Sequence, residues 1–386
     1  MNIWARVGLS HAQDAADAGR EAASAAVAGL SGEPALVIVF TTPRYDLPTL
    51  LRGIRAITGA ATLIGATGSG ELVQGQYLGF GAGVGVLVLA SGPYQFSIAS
   101  ASHIRGRLDQ VGQQLARESR AAASPSPHAA VLLLADSLIG DLQQLVQGVY
   151  RVTGPRVAII GGAAGDEQRF ERTFVFHDDH VIAEGAVALW IASQRPLQVV
   201  TRHGWRPIGV PMLVTRVEGT EIRELGGRPA ALAYEEQLGL LPGQLSAEAF
   251  WTTSIHHPLG LLQQDGSSVI RVARAKTGQG GLIIQGCVPP AGSAVQVMAG
   301  SDDALLDIAQ EVAHLALAAQ PEAGVLLAFS CAARATIFGA RAPEEALRLQ
   351  AVAGVVPAFG LYCCGEFART AGVLATHNAT LTAMAL

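Results

Sequence analysis

Charge is scarce in this chain: Asp, Glu, Lys and Arg make up 15% of its 386 residues, where a soluble domain usually carries about 25%. Aromatic residues are scarcer, at 5%, and the net charge is only −5. With no basic face for phosphates and few rings for base stacking, nucleic-acid binding is excluded as the expected function. Cysteine is limited to Cys287, Cys331, Cys363 and Cys364, with no CxxC or CxxCH spacing. That argues against a zinc ribbon, a thioredoxin-type pair and covalently attached haem, and favours a reduced, cytoplasmic protein. The start, Met1-Asn2-Ile3-Trp4-Ala5-Arg6, has no basic stretch followed by a long apolar run, so no secretory signal is expected.

An uninterrupted spanning segment is also missing. Leu72 to Ile104 carries no charge beyond His103, but Gln74, Gln76, four alternating glycines (Gly79, Gly81, Gly83, Gly85) and Ser91-Gly92-Pro93 break it. Two buried strands with a turn are expected there, and no membrane insertion.

What the chain has is apolar bulk. Half of it is hydrophobic, 45 residues are Gly, and mean hydropathy is +0.34. Disorder is excluded, and the length suffices for a large core and two domains.

Laid out in order, the apolar runs repeat one series three times. The first copy has strand 2–7, helix 11–29, strand 35–40, helix 46–58, strand 61–65 and a return strand at 79–90. The second has strand 95–99, helix 102–122, strand 129–135, helix 140–153, strand 156–161 and return strand 181–192. The third has strand 294–299, helix 302–319, strand 324–330, helix 343–353, strand 356–363 and return strand 379–386. Strands alternating with helices imply an α/β fold of three similar β-α-β-α-β-β units with largely parallel mixed sheets. Residues 195 to 291 break the series with β-branched runs such as 210–217 and 282–285 and one helix near 229–238, which is expected to be a β-rich insertion. The expected domains are therefore 1–193, holding units 1–91 and 92–193, and 194–386, holding the insertion 194–292 and the third unit 293–386. The segment AAASPSPH at 121–128 is expected to be a surface loop inside the second unit.

Each unit places a glycine turn after a buried strand and ends it in Gly plus a carboxylate: Gly65 to Glu71, Gly161 to Asp166, and Cys363-Cys364-Gly365-Glu366. Glycine permits positive φ and close approach of a ligand, and a carboxylate accepts hydrogen bonds from an amine or hydroxyl. The alternative is a tight turn whose acid satisfies backbone N–H groups. No GxxxxGK[ST], HExxH or GxSxG motif occurs, so neither nucleotide binding nor a motif-bearing enzyme is expected. His177-Asp178-Asp179-His180 sits where a polar turn is expected, with a metal site as the alternative. The adjacent Cys363 and Cys364 face opposite sides of a strand end and are expected to be free thiols.

The C-terminal runs Phe329-Ser330-Cys331-Ala332-Ala333-Arg334, Gly360-Leu361-Tyr362-Cys363-Cys364-Gly365-Glu366-Phe367 and His377-Asn378-Ala379-Thr380-Leu381-Thr382 resemble the C-terminal part of the FIST (F-box and intracellular signal transduction) sensory domain. The N-terminal half is similar to its FIST N partner through Ile64-Gly65, Thr67, Gly70-Glu71 and Ile160-Gly161-Gly162-Ala163-Ala164-Gly165-Asp166. Gly204-Trp205-Arg206-Pro207 and His257-Pro258-Leu259-Gly260 sit where that family has similar motifs, whereas Ala66, Ala333 and Cys364 replace its Cys, Gly and Tyr. The resemblance implies an intracellular, non-enzymatic sensor of small molecules such as amino acids, acting through a separate signalling protein such as a histidine kinase. A subset of the family resembles haem-binding nitric oxide sensors that regulate a histidine kinase or a cyclic-di-GMP enzyme. For b-type haem the axial candidates are His257 and His377, with Cys331 and Cys363 as weaker thiolate candidates.

The ligand-binding set expected from the clustering of polar residues at strand ends, together with the resemblance, is Ser330, Cys331, Arg334, Tyr362, Cys364, Gly365, Glu366, His377 and Asn378, with Arg334 for a carboxylate and Glu366 for an amine. Gly65, Thr67, Gly70, Glu71, Gly165 and Asp166 form secondary turns, and no metal is assigned. The competing class is an enzyme built on the C-terminal Gly-Glu turn, which would need a nucleophile and a base in contact.

Overall fold

The structure, a computed structural model, describes residues 4–81, 83–369 and 376–386. Asn2 and Ile3 of the expected first strand, and Ala82 of the expected first return strand, lie outside the described residues.

The first unit comprises β1 (Ala5–Ser10), α1 (Ala15–Val27), β2 (Pro34–Thr41), α2 (Leu47–Thr58), β3 (Thr62–Thr67), the short hairpin β4 (Glu71–Val73) and β5 (Gln76–Tyr77), and β6 (Val84–Ala90). The second repeats it: β7 (Tyr94–Ala101), α3 (Leu108–Ala121), β8 (His128–Ala135), α4 (Leu142–Thr153), β9 (Ala158–Ala163), hairpin β10 (Val175–His177) and β11 (His180–Ile182), and β12 (Ala186–Ser193). After β13 (Val199–Arg202) the insertion contributes β14 (Arg206–Glu218), β15 (Glu221–Leu225), β16 (Arg228–Pro229), α5 (Ala230–Gln237), α6 (Ala247–His256), β17 (Leu259–Leu262), β18 (Ser268–Arg271), β19 (Ala273–Lys276), β20 (Leu282–Ile284) and β21 (Ala294–Ala299). The third unit continues with α7 (Asp302–Ala319), β22 (Leu326–Cys331), α8 (Ala332–Phe338), α9 (Ala342–Ala353), β23 (Ala358–Cys363), the paired strands β24 (Glu366–Ala368) and β25 (Thr376–His377), and β26 (Leu381–Ala385).

Local chemistry sets the helix starts. Asp14, Asp46, Asp141 and Ser301 each precede a helix and accept a hydrogen bond from a first-turn N–H, a cap worth about 1 kcal/mol. The strands β2, β8 and β22 hold equivalent places. Each pairs in parallel with β3, β9 or β23, across the crossover helix, and antiparallel with β6, β12 or β26. The mixed α/β architecture expected from the repeat is therefore present, while parallel pairing in these sheets narrows to that one step in each unit.

Two features differ from the expected repeat. Strand 294–299 does not open the third unit: β21 pairs with β14 and β17 inside the insertion's own sheet, and β13 takes the edge beside β26. Four-residue β13 carries too short a pattern to compete with the alternating run of β21. The second feature is the added hairpin, because each unit gives its hairpin to another unit's sheet. β4–β5 joins β23, β10–β11 joins β3, and β24–β25 joins β9. One glycine per unit stands at the exchange, where its strand lies close against the parallel strand of its own unit. Gly65, Gly161 and Gly360 lie opposite Phe176, Phe367 and Leu72 of the incoming strands. A Cβ at Gly161, whose φ is 148°, would stand 1.8 Å from the Leu133 carbonyl oxygen.

The inner faces of the three sheets share one core, in which Phe40 stacks on Phe359 at 5.1 Å and meets Phe329 edge-on at 5.7 Å. All three rings are fully buried, which stabilises the fold by about 1.5–3 kcal/mol each. Helices cover the outer faces through separate clusters around α1–α2, α3–α4 and α7–α9. The insertion has its own core and two helices rather than the expected one. Return strand β6 is buried along its whole length, and among the described residues no helix is long and apolar enough to cross a membrane.

Candidate functional site

The three glycine turns, far apart in sequence, meet as a ring. Ser69 N–H donates to the Tyr362 carbonyl at 2.8 Å, Gly165 N–H to Thr67 at 2.8 Å, and Cys364 N–H to Ala163 at 2.9 Å. Gly65, Thr67 and Gly70 are thus parts of a shared hub. Its three acids have different surroundings. Asp166 accepts from the backbone N–H groups of Phe170, Glu171 and Arg172 at 2.9, 2.6 and 3.0 Å, so it satisfies a loop. Glu366 Oε2 accepts from Thr380 N–H at 3.2 Å and Thr380 Oγ1 at 2.6 Å, with Cys363 Sγ 3.6 Å from Oε1. Burial pushes its carboxyl up to about 8, against the lowering effect of those bonds. Glu71 is equally buried, and among the described residues no group of another residue donates to its oxygens; only its own backbone N–H acts against the burial that raises its carboxyl.

The expected C-terminal set divides between two faces. Ser330 donates to Glu345 Oε2 at 2.6 Å, and Arg334 grips Glu345 Oε1 through Nε at 3.0 Å and through Nη2. Arg334 Nη2 also donates to the Leu305 carbonyl at 2.8 Å, and its guanidinium lies 5.1 Å from the Phe338 ring. Tyr362 is buried on this side, where burial and then the Glu345 charge hold its phenol well above its ordinary range. Arg334 is therefore committed to Glu345 beneath α7 and α9. It does not offer itself to a ligand carboxylate, because an unpaired buried carboxylate at Glu345 would be the cost.

Cys331, Cys364 and Asn378 lie on the other side, at the seam between the third unit and the insertion. There they line a cavity of about 30 Å³ together with Ala332, Ala333, Gln168, Phe170, Trp251, Val272 and Gln285. That is room for one or two waters. Asn378 Nδ2 donates to the His377 carbonyl at 3.1 Å, while its buried Oδ1 has no partner among the described residues. All four cysteines are free thiols, as expected. Burial holds Cys331 and Cys363 well above the ordinary thiol range and pushes Cys364 to about 12. At neutral pH these are protonated walls, not thiolate nucleophiles. Gly365, at φ 132°, turns the chain between Cys364 and Glu366.

Sequence reasoning missed Gln168, Phe170, Trp251 and Gln285. Gln168 and Phe170 belong to a loop in which Glu167, Gln168 and Phe170 hold φ of 58°, 61° and 56°, conformations that cluster where a site constrains the backbone. Arg44 at 2.8 and 2.6 Å, Thr42 at 2.8 Å and Gly81 N–H at 2.8 Å fix Glu167, and Gln168 Nε2 donates to the Ala332 carbonyl at 3.1 Å. One signal was available: this turn, from β9 to β10, is much longer than its counterparts in the other units.

The histidines named for haem, His257 and His377, do not line the seam cavity. His377 is paired across the ladder with Glu366, and its Nε2 is engaged with the Ala368 carbonyl at 3.0 Å. Burial lowers its pKa to about 4. It borders a cleft of about 1100 Å³ whose walls mix Arg202, Arg206 and Asp265 with Trp205, Leu262 and Ile308. His257 has a buried Nδ1 without a partner among the described residues and borders a separate cleft with Ile208, Leu238, Leu240 and Leu245. The thiol alternatives Cys331 and Cys363 are buried and protonated. His177-Asp178-Asp179-His180 forms a hairpin turn with Asp178 at φ 52°, and Arg55 binds Asp178 at 2.7 Å and Asp179 at 3.0 Å.

Comparison with known proteins covers both halves. The family model of the FIST N domain matches residues 35–228, and that of the FIST C domain matches 230–369. The uncharacterized Mycobacterium tuberculosis protein Rv0628c is 29% identical over 385 residues, spanning 97% of each chain. The uncharacterized Mycobacterium bovis protein Mb0898c is 31% identical over 246 residues, 58% of this chain and 59% of its own. The uncharacterized Methanocaldococcus jannaschii protein MJ1623 is 24% identical over 256 residues, 62% of this chain and 49% of its own. Among solved structures, the cyanuric acid hydrolase of A. caulinodans aligns over 49% of this chain and 71% of its own at 14% identity and a TM-score of 0.27, too remote to support a conclusion.

Proposed function

Because the chain belongs to the FIST family, whose two domain models together span residues 35–369, we propose that it is a cytoplasmic, non-enzymatic sensor whose small-molecule ligand enters the seam between the third unit and the insertion. The observation that carries this reading is the orphaned Asn378 Oδ1 beside the seam cavity. A buried acceptor without a donor costs about 1–3 kcal/mol, and a ligand N–H or O–H would remove that cost. Phe170, Trp251 and Val272 supply apolar walls, and Gln168 and Gln285 add polar edges. Protonated thiols favour binding over nucleophilic turnover.

A cavity of about 30 Å³ is too small for a metabolite, so a ligand must displace the Gln168–Phe170 loop or the Trp251 side of the insertion. That displacement is how occupancy would reach a separate signalling partner such as a histidine kinase. The test is a thermal-shift screen of metabolites followed by titration of tryptophan fluorescence. Hits should quench emission in the wild type, lose affinity by about tenfold or more in Asn378→Leu, and bind Trp251→Phe with a much reduced optical change. Unchanged affinity in Asn378→Leu would overturn the site.

A further inference from the structure

Arg271, the last residue of β18, is 1% exposed. Its Nη1 donates to the carbonyls of Ile270 at 2.8 Å and Thr376 at 3.0 Å, which fixes the plane of the guanidinium. Among the described residues its Nε and Nη2 have no hydrogen-bond partner and no carboxylate lies within ion-pair distance of it. Buried charges in folded proteins are paired, as Arg334 is with Glu345. Arg271 is the contrasting case: a buried cation held still by carbonyls.

The empty pair of donors has a defined shape. Nε–H and Nη2–H leave one edge of the guanidinium side by side, the edge that meets the two oxygens of a carboxylate in a fork. Arg271 itself is in the wall of neither cavity, but its neighbours in the chain and across the fold reach both. The next residue, Val272, lines the seam cavity, as does Asn378, two residues beyond Thr376. On the other side Ser268, Val269 and His377 border the 1100 Å³ cleft. The ionisable groups that act on it are Cys287, a buried thiol that faces the guanidinium closely enough to hydrogen-bond with it, Asp141, which caps α4, and His377, which burial keeps neutral.

We propose that Arg271 is the anion-binding residue of this chain and that the seam ligand is a carboxylic acid, bound bidentately through Nε and Nη2 while a donor elsewhere on the molecule meets Asn378 Oδ1. This rests on the seam as the ligand site and adds the ligand's chemical class. An isolated Lys in place of Arg271 would keep the charge and lose the fork.

The experiment compares acetate, glycolate, benzoate and mandelate with their uncharged amides on the full chain, by thermal shift and calorimetry, with inorganic phosphate as a non-planar oxyanion. In the wild type, the carboxylates should stabilise saturably and the amides should not. Arg271→Gln should weaken the best carboxylate by roughly 30-fold or more, and Arg271→Lys by less. Amides that match their carboxylates, phosphate that matches them, or an Arg271→Gln chain that keeps full carboxylate affinity would each overturn the assignment. If Arg271→Gln fails to fold, the carboxylate and amide comparison in the wild type still decides. A failure of the seam itself has a different signature, since Asn378→Leu would then leave every affinity unchanged.

Discussion

Glu71 and Glu366 open equivalent strands, β4 and β24, each directly after a glycine of positive φ, 111° at Gly70 and 132° at Gly365. Both are fully buried. Glu366 nevertheless meets Thr380 twice, while among the described residues Glu71 has only its own backbone N–H beside its carboxylate and faces the charge of Glu167. The third unit also buries a complete ion pair, Arg334 with Glu345, on the opposite face of its sheet. The repeat thus sets where an acid stands and leaves its chemistry to the neighbours. In the third unit both buried acids, Glu345 and Glu366, are met by donors of their own unit; in the first, the acid has no donor from another described residue.

The largest test of this contrast is Arg334→Ala. It leaves the Glu345 carboxylate buried without its cation and should cost about 3–5 kcal/mol in urea unfolding. Replacing the pair together by Met and Leu should recover most of that loss. A cost below about 1 kcal/mol for Arg334→Ala alone would mean that solvent reaches Glu345.

The second test is pH. Folded Glu366 holds its proton up to about 8, whereas the unfolded chain releases it near 4.5. Its contribution is therefore complete below pH 4.5 and is lost as pH rises to about 8. His203 and His377 act in the opposite sense, since burial lowers both to about 4 from 6.5, and stability gained from their neutral forms is lost as pH falls from 6.5 to 4. The two effects oppose each other below pH 6.5. Between pH 6.5 and 8 the acids act alone, and stability should fall by about 2 kcal/mol from Glu366. Glu71, also raised by burial, adds loss of the same sign. Glu366→Gln should flatten the slope over that window, and an unchanged slope would assign it elsewhere.

The three β-α-β-α-β series were legible because apolar runs such as Leu36–Phe40 and Val131–Leu134 are bounded by turns and capped helices. The Gly-acid turns were legible for the same reason. The hairpin exchange was not: β4, β5 and β25 are two or three residues long, too short for periodicity to show. Nor does any local pattern tell β21, whose alternating burial suits either sheet, that its partners lie in the insertion. Cys331, Cys364 and Asn378 were read from the C-terminal motifs, and the cavity joins them. Arg334 was misassigned because its partner Glu345 sits on α9, where it looks like an ordinary helix-surface acid. Arg271 gave no signal at all, because a buried arginine without an acid is visible only once burial is known.

The finest test separates the two glutamates directly. Glu366→Leu orphans the Thr380 N–H and hydroxyl, two buried donors, and should destabilise the fold by about 1–3 kcal/mol beyond any packing change. Glu71→Leu orphans no donor of another residue, since among the described residues only Glu71's own N–H acts on its carboxylate. It also removes a carboxyl that burial and Glu167 already disfavour in its charged form. An apolar replacement for such a group is neutral or stabilising, so Glu71→Leu should leave stability at neutral pH unchanged or raise it by up to about 1 kcal/mol, with the gain growing toward pH 8. Urea titrations of both variants at pH 5 and pH 8 measure this difference. If Glu71→Leu costs as much as Glu366→Leu at both values, Glu71 is satisfied by a donor in solution, and the first and third turns are chemically alike after all.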